Sequence, residues 1–203
     1  MAFRTFADTT EAAAYVASLD ERWPDRSLVK NHLSRRLGSW SEDRPHVVEF
    51  CSGGGALAAR IMADHPAVYY TGIDASPALL TLARADLAHF ADRTTWVEAN
   101  LNDDDWLTQL PERVDAFTSL QSLHDLGDAA AVGRIARLAA AHLAPGGCFV
   151  YADLLPDPAP DAAPSPGRMP VERHLAMLAE AGFAAAQCTL KVGPFGCFWA
   201  QLP

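Results

Sequence analysis

No apolar run in this sequence approaches the roughly 18 residues that a membrane-crossing helix needs. The opening MAFRTFADTT places Arg4 and Asp8 where a signal peptide carries its apolar stretch, so a cytoplasmic chain is expected. Cysteine is scarce. Cys51, Cys148, Cys188 and Cys197 form no C-x-x-C pair, which argues against a zinc ribbon or a thioredoxin-type redox couple and favours reduced, mostly buried thiols. Positive charge is short as well: 16 Lys and Arg face 25 acidic residues, a formal charge of −9. Affinity gained by neutralising phosphates is therefore not expected, and neither nucleic acid nor an anionic membrane is an expected partner. The run Asp103-Asp104-Asp105 has no second acidic cluster beside it. A metal site needs about six oxygens, so the run reads as a solvated loop and no metal is expected.

What is present is apolar residue. Half of the 203 residues are hydrophobic, enough for one sizeable core in one domain. Residues 1–45 read as a helical cap. Thr9 or Thr10 can cap a first helix with Glu11 in its opening turn, and a second runs from Ser27 to Leu37 and stops at Gly38. From residue 46 to 203, short β-branched or apolar runs alternate with longer amphipathic stretches, the pattern of βαβ units around a parallel sheet. The expected strands are 46–51, 67–73, 94–98, 114–120 and 147–153. Ser76-Pro77 opens one helix, Asp128 another, and Ala144-Pro145-Gly146-Gly147 turns the chain into the fifth strand. Residues 154–170 hold six of the fourteen prolines, a density that no helix tolerates, so they form an extended loop. A helix from Val171 to Ala181 closes at Gly182. Two final strands, 184–191 and 197–202, are joined so closely that they must be antiparallel.

Open α/β sheets bind ligands beyond the carboxyl ends of their strands, where strand order reverses. The first strand-to-helix turn reads VVEFCSGGGALAARI over residues 47–61, and Ser52-Gly53-Gly54-Gly55 is richer in glycine than a purely structural turn requires. The second strand ends in YYTGIDAS, which puts Asp74 at its tip, where a carboxylate can accept both hydroxyls of a ribose. Ser76 is free to cap the following helix. These features fit S-adenosylmethionine or a nicotinamide dinucleotide, because both lay an adenosine across this crevice and Gly53-x-Gly55-x-x-Ala58 satisfies a relaxed dinucleotide fingerprint.

From about Pro45 onward the sequence resembles the class I S-adenosylmethionine-dependent methyltransferases. EFCSGGG, IDASPALLTLAR, WVEANL, VDAFTSLQSLHDL, HLAPGGCFVYAD and LAEAGF with the closing hairpin stand in the family's order. The resemblance implies a Rossmann-like α/β fold: a seven-stranded, mostly parallel sheet with an antiparallel C-terminal strand, helices on both faces and the N-terminal helical cap. It also implies S-adenosyl-L-methionine as cofactor. Glu49 would attract the cofactor's ammonium, Gly53 and Gly55 would let the backbone pass close, Asp74 would hold the ribose, and Ala75 would touch the adenine. Asn100, standing where Asp is usual, would take a hydrogen bond from the adenine amino group, and Leu101 would offer its N–H. Ser119 to His124 would line the methionine end. Cys51 stands where the family has its first glycine, so its Cβ is expected to crowd the strand end.

Methyl transfer from a sulfonium is an in-line displacement that needs alignment, exclusion of water and, for an acceptor bearing a proton, a base. His124, just beyond the fourth strand, is the candidate base, since its ordinary pKa of about 6.5 suits the task. Asp125 reads as a cap for the next helix. Asp153 at the tip of the fifth strand is a candidate substrate contact. Tyr15, Trp23, His32 and Trp40 are candidates for stacking on an acceptor from the cap. No Asn/Asp-Pro-Pro-aromatic motif follows the fourth strand, so a small organic O or N nucleophile is expected as acceptor, and the negative net charge favours a neutral or cationic one. The expected partners are that acceptor and at most a second copy of the chain, as monomer or homodimer. The alternatives are an NAD(P)-dependent oxidoreductase and a protein that binds S-adenosylmethionine without methylating.

Overall fold

The computed structural model describes residues 5–37, 44–157 and 166–203. Trp40 and the expected helix stop at Gly38 lie outside them. Seven strands form one sheet in the order β3-β2-β1-β4-β5-β7-β6. They are β1 His46–Phe50, β2 Tyr69–Asp74, β3 Thr94–Glu98, β4 Val114–Leu120, β5 Leu143–Leu154, β6 Ala185–Val192 and β7 Phe195–Gln201. The first five pair in parallel, and β7 runs antiparallel to both β5 and β6. The expected sheet is therefore the observed one.

Side chains of β1 alternate between two cores, as the period of two in a strand requires. Val48 and Phe50 join Phe117, Phe149 and Tyr151 on the face covered by α5 (Ala129–His142) and α6 (Val171–Glu180). Val47 joins Ala116, Val150 and Ala152 on the opposite face. That face is covered by α2 (Arg26–Arg36), α3 (Ala56–Asp64) and α4 (Pro77–Asp86).

Several local expectations are revised. The cap of α1 (Thr9–Arg22) is Asp8, not Thr9 or Thr10: its carboxylate accepts from the N–H groups of Thr10 and Glu11, and Glu11 reaches back to Ala7 N at 2.7 Å. β5 begins at Leu143, before the anticipated turn, because Leu143 already pairs with Val114. The register then breaks until Cys148 meets Ala116, so Ala144-Pro145-Gly146-Gly147 is a bulge within the strand. β7 begins at Phe195, which cuts the hairpin loop to Gly193-Pro194.

The two helices of the expected cap differ in role. In α2, Val29 and Leu33 are fully buried with Leu57 and Ile61 of α3, so this helix is part of the sheet's covering layer. Of α1 only Ala12 is buried, and the helix lies against α4 and the glycine-rich turn.

Candidate active site

Strand order reverses between β1 and β4, and the carboxyl ends of both open into a cavity of about 310 Å³. A second cavity of about 140 Å³ shares Tyr15, Cys51, Asp74 and Ser122 with it, so the two form one crevice. Their combined size lies near the lower end of the range for small-molecule sites.

The turn after β1 takes the left-handed conformation three times: at Cys51 (φ 51°), Gly53 (φ 55°) and Gly55 (φ 82°). Cys51 carries its Cβ in a region that favours glycine. Burial raises its thiol pKa, so the sulfur stays protonated and inert. Gly53 opens on empty space; a Cβ there would meet nothing within 4 Å. Gly54 is pressed by α1, since a Cβ would come 2.9 Å from Val16 Cγ2. Gly55 lines neither cavity. Its missing side chain makes room for Leu87 and Ala83, which lie 2.9 and 3.2 Å from where a Cβ would stand.

Asp74 lies in both cavities. Its Oδ2 accepts from Gly53 N at 2.8 Å and its Oδ1 from Ser76 N at 2.9 Å, while Ser76 caps α4 through Leu79 N. Burial raises the Asp74 pKa, opposed by those backbone N–H groups. Each carboxylate oxygen keeps a lone pair for a further donor. Around the smaller cavity Ala75, Ala99, Leu101 and Phe6 present apolar surface suited to a flat ring.

At the other end stands Glu49, 2% exposed, with Tyr70 Oη donating to its Oε2 at 2.5 Å. Burial pushes its carboxyl up to about 8 despite that hydrogen bond. Arg26, 6% exposed, links α2 to this end: its Nε donates to Asp20 at 3.0 Å and its Nη1 to Gln121 Oε1 at 2.5 Å. Gln121 itself has φ 60° and is the second non-glycine residue in the left-handed region among the described residues. Strained backbone at the tips of the two strands that flank the crevice fits a functional site.

His124 follows β4 on a 3-10 turn, Leu123–Leu126, and is 9% exposed at the cavity edge. Asp153 of β5, fully buried, grips it twice: Oδ2 accepts His124 N at 2.9 Å, and Oδ1 lies 2.5 Å from Nδ1. Burial lowers the imidazole pKa, but the Asp153 hydrogen bond and the charges of Asp153 and Asp125 outweigh it and the net shift is upward. A carboxylate at Nδ1 fixes the tautomer in which Nδ1 carries the proton and Nε2 holds a free lone pair. Asp125 lies with Oδ1 3.4 Å from Nε2, whereas α5 is capped by Asp128, so Asp125 is not the helix cap that was expected.

The structure thus gathers Tyr15, Trp23, Glu49, Cys51, Gly53, Asp74 and His124 around the larger cavity, and Ala75 and Leu101 around the smaller. Asp153 reaches the site through His124. Asn100 lines neither cavity; its Oδ1 accepts from Asn102 N at 2.8 Å. Ser119 is buried behind the site, donating to Phe50 O at 3.0 Å and meeting Ser122 Oγ, and Ser122 rather than Ser119 faces the crevice. His32 points away from it, with Nε2 2.8 Å from Thr189 Oγ1 of β6.

Sequence reasoning missed Arg26 and Arg168. Gln121 and Ser122 fall inside the stretch already suspected after the fourth strand. Arg26 and Arg168 had no local signal, because only the fold carries them to the cavity.

The sequence pattern of the family described as "Methyltransferase domain" matches residues 48–149, just over half of the chain, and spans β1 through β5 up to Phe149. The chain belongs to the class I S-adenosylmethionine-dependent methyltransferase family. A release factor glutamine methyltransferase of Cereibacter sphaeroides is 32% identical over 132 residues, 64% of this chain and 44% of that protein. The chain therefore matches less than half the length of this curated relative. Two solved methyltransferases share the fold: an O-methyltransferase family protein from Burkholderia thailandensis (TM-score 0.74, 18% identity, 97% of this chain and 60% of that one), and human N-acetylserotonin methyltransferase in complex with S-adenosylmethionine (TM-score 0.71, 20% identity, 96% and 56%). Among the described residues no helix is long and apolar enough to cross a membrane.

The residues present fit the family's cofactor. An apolar slot, a carboxylate with spare lone pairs, an open glycine and a buried glutamate lie along one crevice.

Proposed function

We propose that this methyltransferase transfers a methyl group from S-adenosylmethionine to an O or N nucleophile of a small organic acceptor, with His124 as general base. The His124–Asp153 pair at the edge of the cofactor crevice supports this most directly. The cofactor, when bound, supplies a methyl group on a sulfonium, a good leaving group that needs no activation by the protein.

Asp74 would hold the ribose hydroxyls, Ala75 and Leu101 would enclose the adenine, and Glu49 would face the ammonium, releasing its proton to solvent. At the acceptor end Asp153 holds His124 in one orientation and one tautomer, so that Nε2 takes the proton of a hydroxyl or amine as that atom attacks. Protonation of the imidazole is assisted by the buried Asp153 carboxylate. Tyr15 and Trp23 wall the cavity, exclude water and offer flat surface to an aromatic acceptor. The absence of an Asn/Asp-Pro-Pro-aromatic motif after β4 supports a small-molecule acceptor over a nucleic acid base.

The test is incubation with methyl-labelled S-adenosylmethionine and a panel of phenols, amines and carboxylates, together with calorimetric titration of S-adenosylhomocysteine. Tight binding of the product and label transfer to a panel member are expected. Binding of NAD(P) without binding of S-adenosylhomocysteine would overturn the reading, and cofactor binding with no transfer to any acceptor would remove the catalytic part of it.

A further inference from the structure

The net charge of −9 favours a neutral or cationic acceptor, yet a guanidinium stands beside His124 together with the carboxylates of Asp153 and Asp125. Arg168 lines the larger cavity and stands close enough to His124 for its charge to oppose protonation of the imidazole. Its Nε is buried and makes no hydrogen bond to any described residue. The other guanidiniums of the cavity are engaged: Arg26 with Asp20 and Gln121, and Arg22 weakly with Ser18 Oγ at 3.4 Å. Of the two acids beside His124, Asp153 is taken up by the imidazole Nδ1 and backbone N–H groups, and Asp125, whose side chain is 77% exposed, turns its Oδ1 to Nε2.

Arg168 is also held in place. On one side Gly167 packs directly on the backbone of His124, so closely that a Cβ would overlap its carbonyl oxygen. On the other side Met169 is 2% exposed in the core. The anchored backbone and the buried Nε restrict where the guanidinium can reach, and its planar fork matches a carboxylate in two parallel hydrogen bonds. Whole-molecule charge does not decide which ligand a cavity accepts. The groups within a few ångströms do, because solvent and salt screen the rest.

We propose that Arg168 is a specificity-determining residue that binds an anion, and that the acceptor is a small hydroxy or amino acid in the broad chemical sense. Its carboxylate pairs with Arg168 while its hydroxyl or amine meets His124 Nε2. This rests on the methyltransferase reading above. The cofactor brings a carboxylate of its own, so one ligand chemistry has two sources. Gly167 packs on the backbone of His124 and so sets Arg168 beside the imidazole, whereas Arg26 donates to Gln121 at the tip of β4, and the S-adenosylhomocysteine measurement below separates the two.

The experiment is calorimetric titration of the protein saturated with S-adenosylhomocysteine, using aromatic and aliphatic hydroxy and amino carboxylates and the methyl ester of each. Wild type and Arg168→Gln are compared. For at least one pair the acid should bind wild type roughly tenfold or more tighter than its ester, the scale of a lost charge-assisted hydrogen bond. Arg168→Gln should bring the acid down to the ester's affinity, leave the ester unchanged and leave S-adenosylhomocysteine affinity within about twofold. Acids that bind no better than their esters across the panel, or an acid preference that survives Arg168→Gln, would overturn the proposal. A drop in S-adenosylhomocysteine affinity in the variant would assign Arg168 to the cofactor's carboxylate instead and overturn it equally. Failure of wild type to bind S-adenosylhomocysteine at all would be a failure of the methyltransferase reading itself.

Discussion

Replacing Asp153 by Asn changes one atom of a buried side chain and tests whether His124 works as a base. The carboxylate accepts three hydrogen bonds: Oδ1 from His124 Nδ1 at 2.5 Å and from Leu154 N at 2.8 Å, and Oδ2 from His124 N at 2.9 Å. An amide cannot satisfy all three. With its oxygen at the Oδ1 position, its NH₂ faces the His124 N–H and one backbone donor is stranded. With its oxygen at the Oδ2 position, its NH₂ faces Leu154 N–H and donates to Nδ1, which forces the imidazole proton onto Nε2, where the acceptor must be deprotonated. Either arrangement leaves one buried donor unpaired, at about 1–3 kcal/mol, so the two coexist and part of the population has the wrong tautomer. The imidazole also loses the buried charge that stabilises its cation. Base catalysis contributes roughly 10²–10⁴, and turnover of Asp153→Asn should fall by about a hundredfold or more with S-adenosylhomocysteine affinity unchanged. The melting temperature should fall by about 2–4 °C for each kcal/mol lost.

The pH profile carries the sign. The His124 pKa is raised above 6.5, so wild-type turnover should climb as pH rises through that shifted value and the base becomes neutral. Without the Asp153 charge, burial weighs more heavily and the climbing limb should move to lower pH. Stability follows the same pair: the contribution is complete below about 6.5 and fades as pH rises through the folded-state value. Steady-state rates between pH 5 and 9 for both proteins are the assay. Turnover within threefold of wild type, on an unmoved pH limb, would refute the base assignment.

Three further outcomes follow from the same geometry. Asp74→Ala should weaken S-adenosylhomocysteine binding by roughly 1–3 kcal/mol, read by calorimetry, because ribose hydroxyls lose their acceptor; unchanged affinity would take Asp74 out of the cofactor site. Gly167→Ala forces a Cβ onto the backbone of His124, whose Cα and carbonyl carbon would lie 2.7 Å away, so turnover should fall about tenfold or more while S-adenosylhomocysteine affinity holds. Glu49, pushed up to about 8 by burial, should release its proton when the ammonium of S-adenosylhomocysteine arrives. The binding heat at pH 7 should therefore vary with the ionisation enthalpy of the buffer in wild type and not in Glu49→Gln.

The sheet and its helices were legible because their signals are local. β4 reads VDAFTSL and is buried at every position, Ser76-Pro77 is a helix start in two residues, and the short final connection leaves β6 and β7 only one relative direction. The bulge in β5 was not legible, because pairing of Leu143 with Val114 depends on a neighbouring strand. Nor was the division of labour between α1 and α2, since both read only as helices of one N-terminal cap.

What the sequence determined by itself is the order of elements, the place of the crevice where strand order reverses, and the positions of Asp74 at a strand tip and His124 just beyond one, because strand alternation and helix caps act over a few residues. What only the tertiary structure decided is which side chains meet. It put Asp153 against His124 across 29 positions of chain, Arg26 against Gln121 across 95, and Arg168 on the cavity beside His124, while turning His32, Asn100 and Ser119 to other partners. These contacts are set by the packing of whole layers, and no spacing within a strand or helix encodes them.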